Sequence, residues 1–291
     1  MSMIEVKNLQ YRYPKSKEHT VKNISFSISE GEIFGFLGPS GAGKSTTQKI
    51  LIKLLTGYTG EVFVFEDDHK NSGKHYFNRI GVCFEQPNHY LKLTALENLR
   101  YFAGFYQQCP SNPLDLLQTV GLEKDAETKV ENFSKGMKMR LNFVRSIMHN
   151  PDILFLDEPT SGMDPVNARK IKDIIMEEKQ NGKTIFITTH NMHDADELCD
   201  RVAFMVDGKL ELIDSPKNIK QLGGKRVVKV EYGNGGVQAV EFPIKGLADN
   251  EKFLDVLRKN HIRSVHSKEA SLEDIFIQVT GKKLMSHENT C

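Results

Sequence analysis

The nine residues GPSGAGKST, positions 38 to 46, restrict what this chain can fold into more than any other stretch. They follow the apolar run IFGFLG (33–38) and lead into helical spacing from Lys44 to Leu55. The stretch matches G-x-x-x-x-G-K-[ST], with Gly38, Gly43, Lys44 and Ser45 at the fixed places. Glycines let backbone N–H groups turn inward around phosphate oxygens, and the following helix points its positive end at the same spot. Pro39, Ser40, Gly41, Ala42 and Thr46 complete the predicted cradle. Lys44 is expected to reach the β- and γ-phosphates, and the Ser45 hydroxyl to bind Mg²⁺.

More short apolar runs read as strands: IGVCF (80–84), ILFLD (153–157), TIFITTH (184–190) and RVAFMVDG (201–208). Apolar residues at consecutive positions suit strands covered on both faces, as in a parallel sheet. A helix is predicted from Pro165 to Gln180, with Gly182 just past its end. This alternation argues for an α/β core. Residues 87–150 read instead as a helical insertion. TALENLRYFAG carries a capping box, Thr94 with Glu97, and sets Leu96, Leu99 and Ala103 on one face. NPLDLLQTVG adds a helix closed by Gly121, and ENFSKGMKMRLNFVRS a third, capped by Ser134 and stopped by Pro151.

After about residue 215 the pattern changes. KRVVKVEYGNGGVQAVEFPI reads as strand, Asn-Gly-Gly turn, strand. A helix (NEKFLDVLRKN) and a strand (HIRSVHS) follow. SLEDIFIQVTG then forms a helix capped by Ser271 and stopped by Gly281, with Leu272, Ile275, Phe276 and Val279 on one face. The expected organisation is a nucleotide-binding domain over 1–215 and a small α/β domain over 216–291, ending in a flexible tail, SHENTC.

ILFLDEPT supplies a second part of the site. Its apolar residues carry a strand to the edge where α/β sheets bind ligands. There Asp157 would hold Mg²⁺ through its water shell, and Glu158 could polarise an attacking water. A guanine-reading N-K-x-D is missing, which weakens a GTPase reading. The formal net charge of +1 and the lack of a polybasic block suggest no nucleic-acid partner. Four scattered cysteines fit neither a disulfide framework nor a zinc pattern, so a reduced cytoplasmic setting is expected. The stretch MSMIEVKNLQYRYP lacks the apolar core of a secretory signal, and no run approaches the ~20 apolar residues of a membrane span.

Over residues 3 to about 213 the chain resembles the nucleotide-binding subunit of ATP-binding cassette (ABC) transporters, in the branch of bacterial drug and antibiotic exporters. The family's helix-opening signature, Leu-Ser-Gly-Gly-Gln, appears here as Phe133-Ser134-Lys135-Gly136-Met137. The resemblance implies two cassettes paired head to tail, with Ser134 and Gly136 of one facing the γ-phosphate of the ATP held by the other. Lys135 and Met137 depart from the common form, and Met137 cannot donate the glutamine's hydrogen bond. By the same resemblance, Tyr13 would stack on adenine, with Tyr11 as its rival. Gln86 would touch Mg²⁺ and water, Asp164 in SGMD would cross the dimer interface, and His190 would sense the γ-phosphate. The site set is thus Glu158, His190 and Gln86 for catalysis, and Ser45, Gln86 and Asp157 for the metal. The cradle, Tyr13, Ser134, Gly136 and Asp164 bind ATP.

The family implies a Mg-dependent ATPase, peripheral on the cytoplasmic face of the membrane, with an integral membrane permease as partner. Three features favour an exporter: one cassette per chain, the Ser-Lys-Gly-Met form of the signature, and the tail ending SLEDIFIQVTG. The alternatives are an importer ATPase subunit and a soluble cassette ATPase acting on DNA or ribosomes. A module that binds nucleotide without turnover is opposed by Glu158 and His190. A metal site joining His190, His193, Asp194 and Asp196 is a rival reading of TTHNMHDADEL.

Overall fold

A glycine loop can hold a ligand only if rigid elements flank it, and the computed structural model shows how the chain builds them. Residues 2–223, 227–233, 236–268 and 270–281 are described. Strands β1 (Ser2–Tyr11) and β2 (Val21–Ser29) pair antiparallel, with Ile24, Phe26 and Ile28 alternating inward. Next come β3 (Ile33–Leu37), buried throughout, and α1 (Lys44–Leu51). The helix ends four residues before the predicted Leu55. Lys53 turns left-handed (φ 60°), and its ammonium donates to the carbonyls of His69 (2.7 Å) and Ser72 (2.6 Å). Strands β4 (Thr59–Val64) and β5 (Asp67–Asp68) complete an antiparallel sheet of order β2-β1-β4-β5.

The chain continues through α2 (His75–Arg79) and β6 (Ile80–Cys83) into three further helices, α3 (Ala95–Ala103), α4 (Pro113–Thr119) and α5 (Lys135–Ile147). The predicted caps form: Thr94 and Glu97 make the reciprocal box on α3, and Ser134 accepts from the Met137 amide at the head of α5. Then follow β7 (Ile153–Asp157), α6 (Pro165–Gln180), β8 (Thr184–Thr189), α7 (Met192–Leu198), β9 (Arg201–Val206) and β10 (Lys209–Asp214). The second sheet has the order β10-β9-β3-β8-β7-β6, parallel except for β10. Leu37 lies opposite Thr189 and Asp157 opposite Thr188, so β3, β7 and β8 end on one edge. Phe34, Phe36, Phe155 and Phe186 share a core with Ile4, Val6 and Phe26 of the antiparallel sheet. Phe26 stacks 5.7 Å from Phe34.

The chain divides into two compact units, the second starting at Ser215. That unit holds α8 (Pro216–Leu222), β11 (Val227–Tyr232), β12 (Gln238–Pro243), α9 (Glu251–Lys259), β13 (Ile262–Lys268) and α10 (Leu272–Thr280). Its sheet, β12-β11-β13, is antiparallel around Val228, Val230 and Phe242. On α10, Leu272, Ile275 and Phe276 are buried, but Val279 is 43% exposed, against expectation. Asn234 and Gly235 of the predicted turn and the SHENTC tail lie outside the described residues. Among the described residues, Cys83 and Cys199 are buried free thiols and Cys109 a half-buried one. Burial pushes the Cys83 thiol up to about 12 and raises that of Cys199. No helix of the described residues is long and apolar enough to cross a membrane.

Candidate functional site

The glycine loop leaves β3 and enters α1 at the shared strand edge. Two of its glycines are required by space. A Cβ on Gly38 would fall 2.1 Å from the Met205 carbonyl oxygen of β9. One on Gly43, at φ 109°, would fall 2.8 Å from the carbonyl oxygen of Thr20. Lys44 is 8% exposed, and its ammonium folds back on the carbonyls of Gly38 (2.7 Å) and Pro39 (3.1 Å). Burial lowers its pKa, while the charges of Glu158, Asp157 and Glu85 act the other way. This is a cation held among backbone dipoles, in reach of an anion.

The carboxylates face it from the end of β7. Asp157 accepts from Ser45 Oγ at 3.3 Å and also from Thr188 Oγ1. Burial raises its pKa. Glu158 is left-handed at φ 49°, a conformation that costs a non-glycine residue of order 1–3 kcal/mol and persists where its surroundings over-determine it. Here they do. Glu158 Oε1 accepts from the His190 backbone N–H (2.9 Å) and lies 2.7 Å from His190 Nδ1, and Oε2 accepts from Thr189 Oγ1 (3.0 Å). The bond to Glu158 raises the His190 pKa above its ordinary 6.5, with burial opposing and the Glu158 charge adding to the rise.

A cavity of about 280 Å³ brings these groups together: Ser40, Gly41, Gly43, Lys44, Ser45 and Thr46 from the loop and α1, Asp157 and Glu158 from β7, and His190 after β8. Thr20 and Glu85 line it too, and the sequence reading missed both. Neither belongs to a spaced motif. Thr188 and Thr189 were also missed as partners of the carboxylates, although the change from apolar to Thr-Thr-His along TIFITTH was a visible signal. Tyr13 stands beside the loop, its hydroxyl 3.3 Å from Thr46 Oγ1. Its rival, Tyr11, is 7% exposed and edge-on to it at 5.1 Å, so Tyr13 is the more accessible ring.

Other predicted residues lie off this cavity. Gln86 is exposed and is not among the lining residues. The segment carrying it is fastened to α5: Asn142 Nδ2 donates to the Phe84 carbonyl (2.8 Å) and Arg145 Nη1 to that of Asn88 (2.5 Å). Ser134 and Asp164 are exposed and cap α5 and α6. Asn167 holds the Asp164 carboxyl below its usual range. Gly136 has open space around it: a Cβ placed there would meet no atom within 4 Å. The alternative metal cluster does not form as expected. His190 is turned to Glu158, and among the described residues the group whose ligand atoms lie within 4.8 Å of one another is His193, Asp194 and Glu197. The Lys172 ammonium already sits on both of those carboxylates.

A glycine loop at the head of α1, facing strand-end carboxylates and a histidine across a parallel sheet, defines a P-loop nucleotide-binding cassette. Residues 21–161 match the family model described as ABC transporter, and residues 226–269 match that of the fluoroquinolone efflux ABC transporter C-terminal domain. The fluoroquinolones export ATP-binding protein of Mycobacterium tuberculosis is 54% identical over 284 residues, covering 97% of this chain and 94% of that one. The linearmycin resistance ATP-binding protein of Bacillus subtilis is 30% identical, covering 97% and 99%. Among solved structures, an ATP-binding subunit of an ABC transporter superposes with a TM-score of 0.69 at 27% identity, covering 76% of this chain and 93% of that one. A dimeric cassette in a post-hydrolysis state with ADP and Pi gives 0.67 at 29% identity, covering 73% and 98%. The chain belongs to the ABC transporter family, as an ATP-binding subunit of the kind that hydrolyses ATP.

Proposed function

We propose that this chain is the Mg-dependent ATPase of a small-molecule exporter, seated on the cytoplasmic face of the membrane against an integral membrane permease. The observation that carries the ATPase reading is the meeting of Lys44, Asp157, Glu158 and His190 at one cavity. The glycine loop and Lys44 bind the triphosphate, and Tyr13 offers its ring to the base. Glu158 orients or deprotonates the attacking water, a role worth roughly 10²–10⁴ in rate. His190 and Lys44 face the charge that develops on the transferring phosphoryl group. Ser45 and Asp157 are 3.3 Å apart, both oxygen ligands, and fit a Mg²⁺ site; Gln86, exposed and off this cavity, would add a ligand only if its segment moved in. When bound, the ion neutralises charge on the phosphate oxygens.

Residues 1–215 act as the nucleotide-binding domain in this reading. Two copies, or this chain and a different cassette, pair head to tail, so that Ser134, Gly136 and Asp164 complete the partner's site. The positions of these three residues, away from the chain's own cavity, support that arrangement. The permease docks in a cavity of about 610 Å³ lined by Leu54, Phe77, Phe84, Phe102, Phe105 and Arg145, several of them exposed apolar residues. Export is supported by the drug-export relatives, and fluoroquinolones are the first cargo to test. The purified chain is expected to release phosphate from ATP only with Mg²⁺ present. Cells lacking it are expected to accumulate more fluoroquinolone than the parent, and equal accumulation would leave the cargo assignment without support.

A further inference from the structure

Asp194 lies in α7, 8% exposed, and is not among the residues lining the phosphate cavity. Its carboxylate joins three separate elements. Oδ2 accepts from Thr160 Oγ1 at 2.7 Å and from Asn191 Nδ2 at 3.0 Å. Oδ1 faces the Lys172 ammonium of α6 at 3.2 Å, and Lys172 also meets Glu197. His193 Nδ1 stands 4.0 Å away.

The placement of these partners in the chain matters. Thr160 comes two residues after Glu158, inside consecutive tight turns: the Ser161 amide donates to the Glu158 carbonyl (3.0 Å), and the Met163 amide to that of Thr160 (3.3 Å). Asn191 directly follows His190, and its amide donates to Thr189 Oγ1 (3.0 Å), the hydroxyl that also holds Glu158. One buried anion therefore grips the loop beyond the glutamate and the loop beyond the histidine. Charge-assisted bonds from a nearly dry carboxylate are shorter and stronger than neutral ones, so the grip is stiff. The ammonium of Lys172 supplies the counter-charge that makes a buried carboxylate tolerable there.

We propose that Asp194, acting through Thr160 and Asn191, is a positioning residue that sets the separation of Glu158 and His190 for ATP hydrolysis. The inference rests on the ATPase reading above. Asp194 touches neither substrate nor reacting atoms; its effect passes through the two loops.

Thr160→Val removes the hydroxyl and keeps the shape, whereas Thr160→Ser keeps the hydroxyl. In the full-length chain, Thr160→Val is expected to lower kcat about 10- to 100-fold, the scale of a misplaced catalytic group, with KM for ATP little changed and a melting temperature lowered by the lost bond to a buried carboxylate. Thr160→Ser should restore kcat to near the parent value. Asp194→Asn, which keeps size but loses the charge, should lower kcat in the same way and provides the test if the valine variant does not fold. Unchanged kcat in Thr160→Val, or equal loss in Thr160→Ser, overturns the proposal. A parent chain that releases no phosphate would instead sink the ATPase reading. The positioning role of Asp194 is then decided by the ¹⁵N shifts of the His190 ring, which report its bond to Glu158: they should move in Thr160→Val and stay in Thr160→Ser, and shifts unmoved by valine overturn it.

Discussion

Glu158 is gripped at both oxygens by its own chain, twice by His190 and once by Thr189. Glutamine at this position keeps two acceptor lone pairs on one oxygen but cannot take a proton from water. Glu158→Gln is therefore expected to bind ATP normally and to lose turnover by roughly 10²–10⁴, the worth of a positioned base. Steady-state phosphate release beside a nucleotide titration measures both, and turnover within twofold of the parent would remove Glu158 from its role. The histidine carries a pH signature. Its folded-state pKa is raised above 6.5, so the stability it contributes is fully present below that value and fades as pH rises through the folded pKa. His190→Gln should lower the melting temperature more at about pH 6 than at about pH 9, where the neutral ring of the parent has little left to lose. An equal deficit at both would mean the pair is not what shifts the histidine.

At the scale of elements, α5 has an unusual opening. Its N-cap serine is exposed, its first turn contains Gly136, and no acidic residue lies there. In an isolated helix a glycine is a cost of about 0.5–1 kcal/mol against alanine, and here no neighbour in the chain forbids a methyl group. Gly136→Ala should thus raise the stability of the chain by a few tenths to about 1 kcal/mol in denaturant unfolding while lowering its ATPase rate. Gain of stability with loss of activity is the mark of a glycine kept for an incoming surface. A variant both more stable and fully active would show that the second cassette does not approach so closely. The helix and its cap were legible in the sequence because capping depends on residues three apart, and the strands ILFLD and TIFITTH because burial on both faces leaves unbroken apolar runs. The antiparallel sheet of β1, β2, β4 and β5 was not. Register shifts interrupt β1 between Val6 and Leu9 and again before Tyr11, which breaks up its alternation, whereas the apolar-polar alternation ISFSIS of β2 was a legible strand signal that the reading passed over. The glycine loop and the Asp157–Glu158 pair were visible as spacing. The bonds of Thr188 and Thr189 to those carboxylates span 31 residues: the polar end of TIFITTH marks the threonines, but no local pattern names their partners.

At the scale of the molecule, the described site gathers at one edge of the parallel sheet, with Thr20 added from the loop before β2, yet the predicted nucleotide contacts Ser134, Gly136 and Asp164 lie outside its lining. The proposed head-to-tail pair would resolve this, and Glu158→Gln with saturating Mg·ATP should shift the chain from monomer to dimer by light scattering, while the same variant with ADP should stay monomeric. Equal mass in both nucleotides would argue that this cassette pairs only with a different chain or only on its permease. The cysteines give such an experiment a practical handle. Two of the three described thiols are sealed in the interior and held protonated, while Cys109 is half-buried, between α3 and α4; its thiol donates to the Met148 carbonyl (3.2 Å) and is itself raised by partial burial, so it is the most accessible of the three rather than an activated one. With Cys291 replaced by serine, a maleimide dye should attach at that one address without further engineering, putting a fluorescent reporter on the helical insertion where cassette and membrane machinery would exchange force.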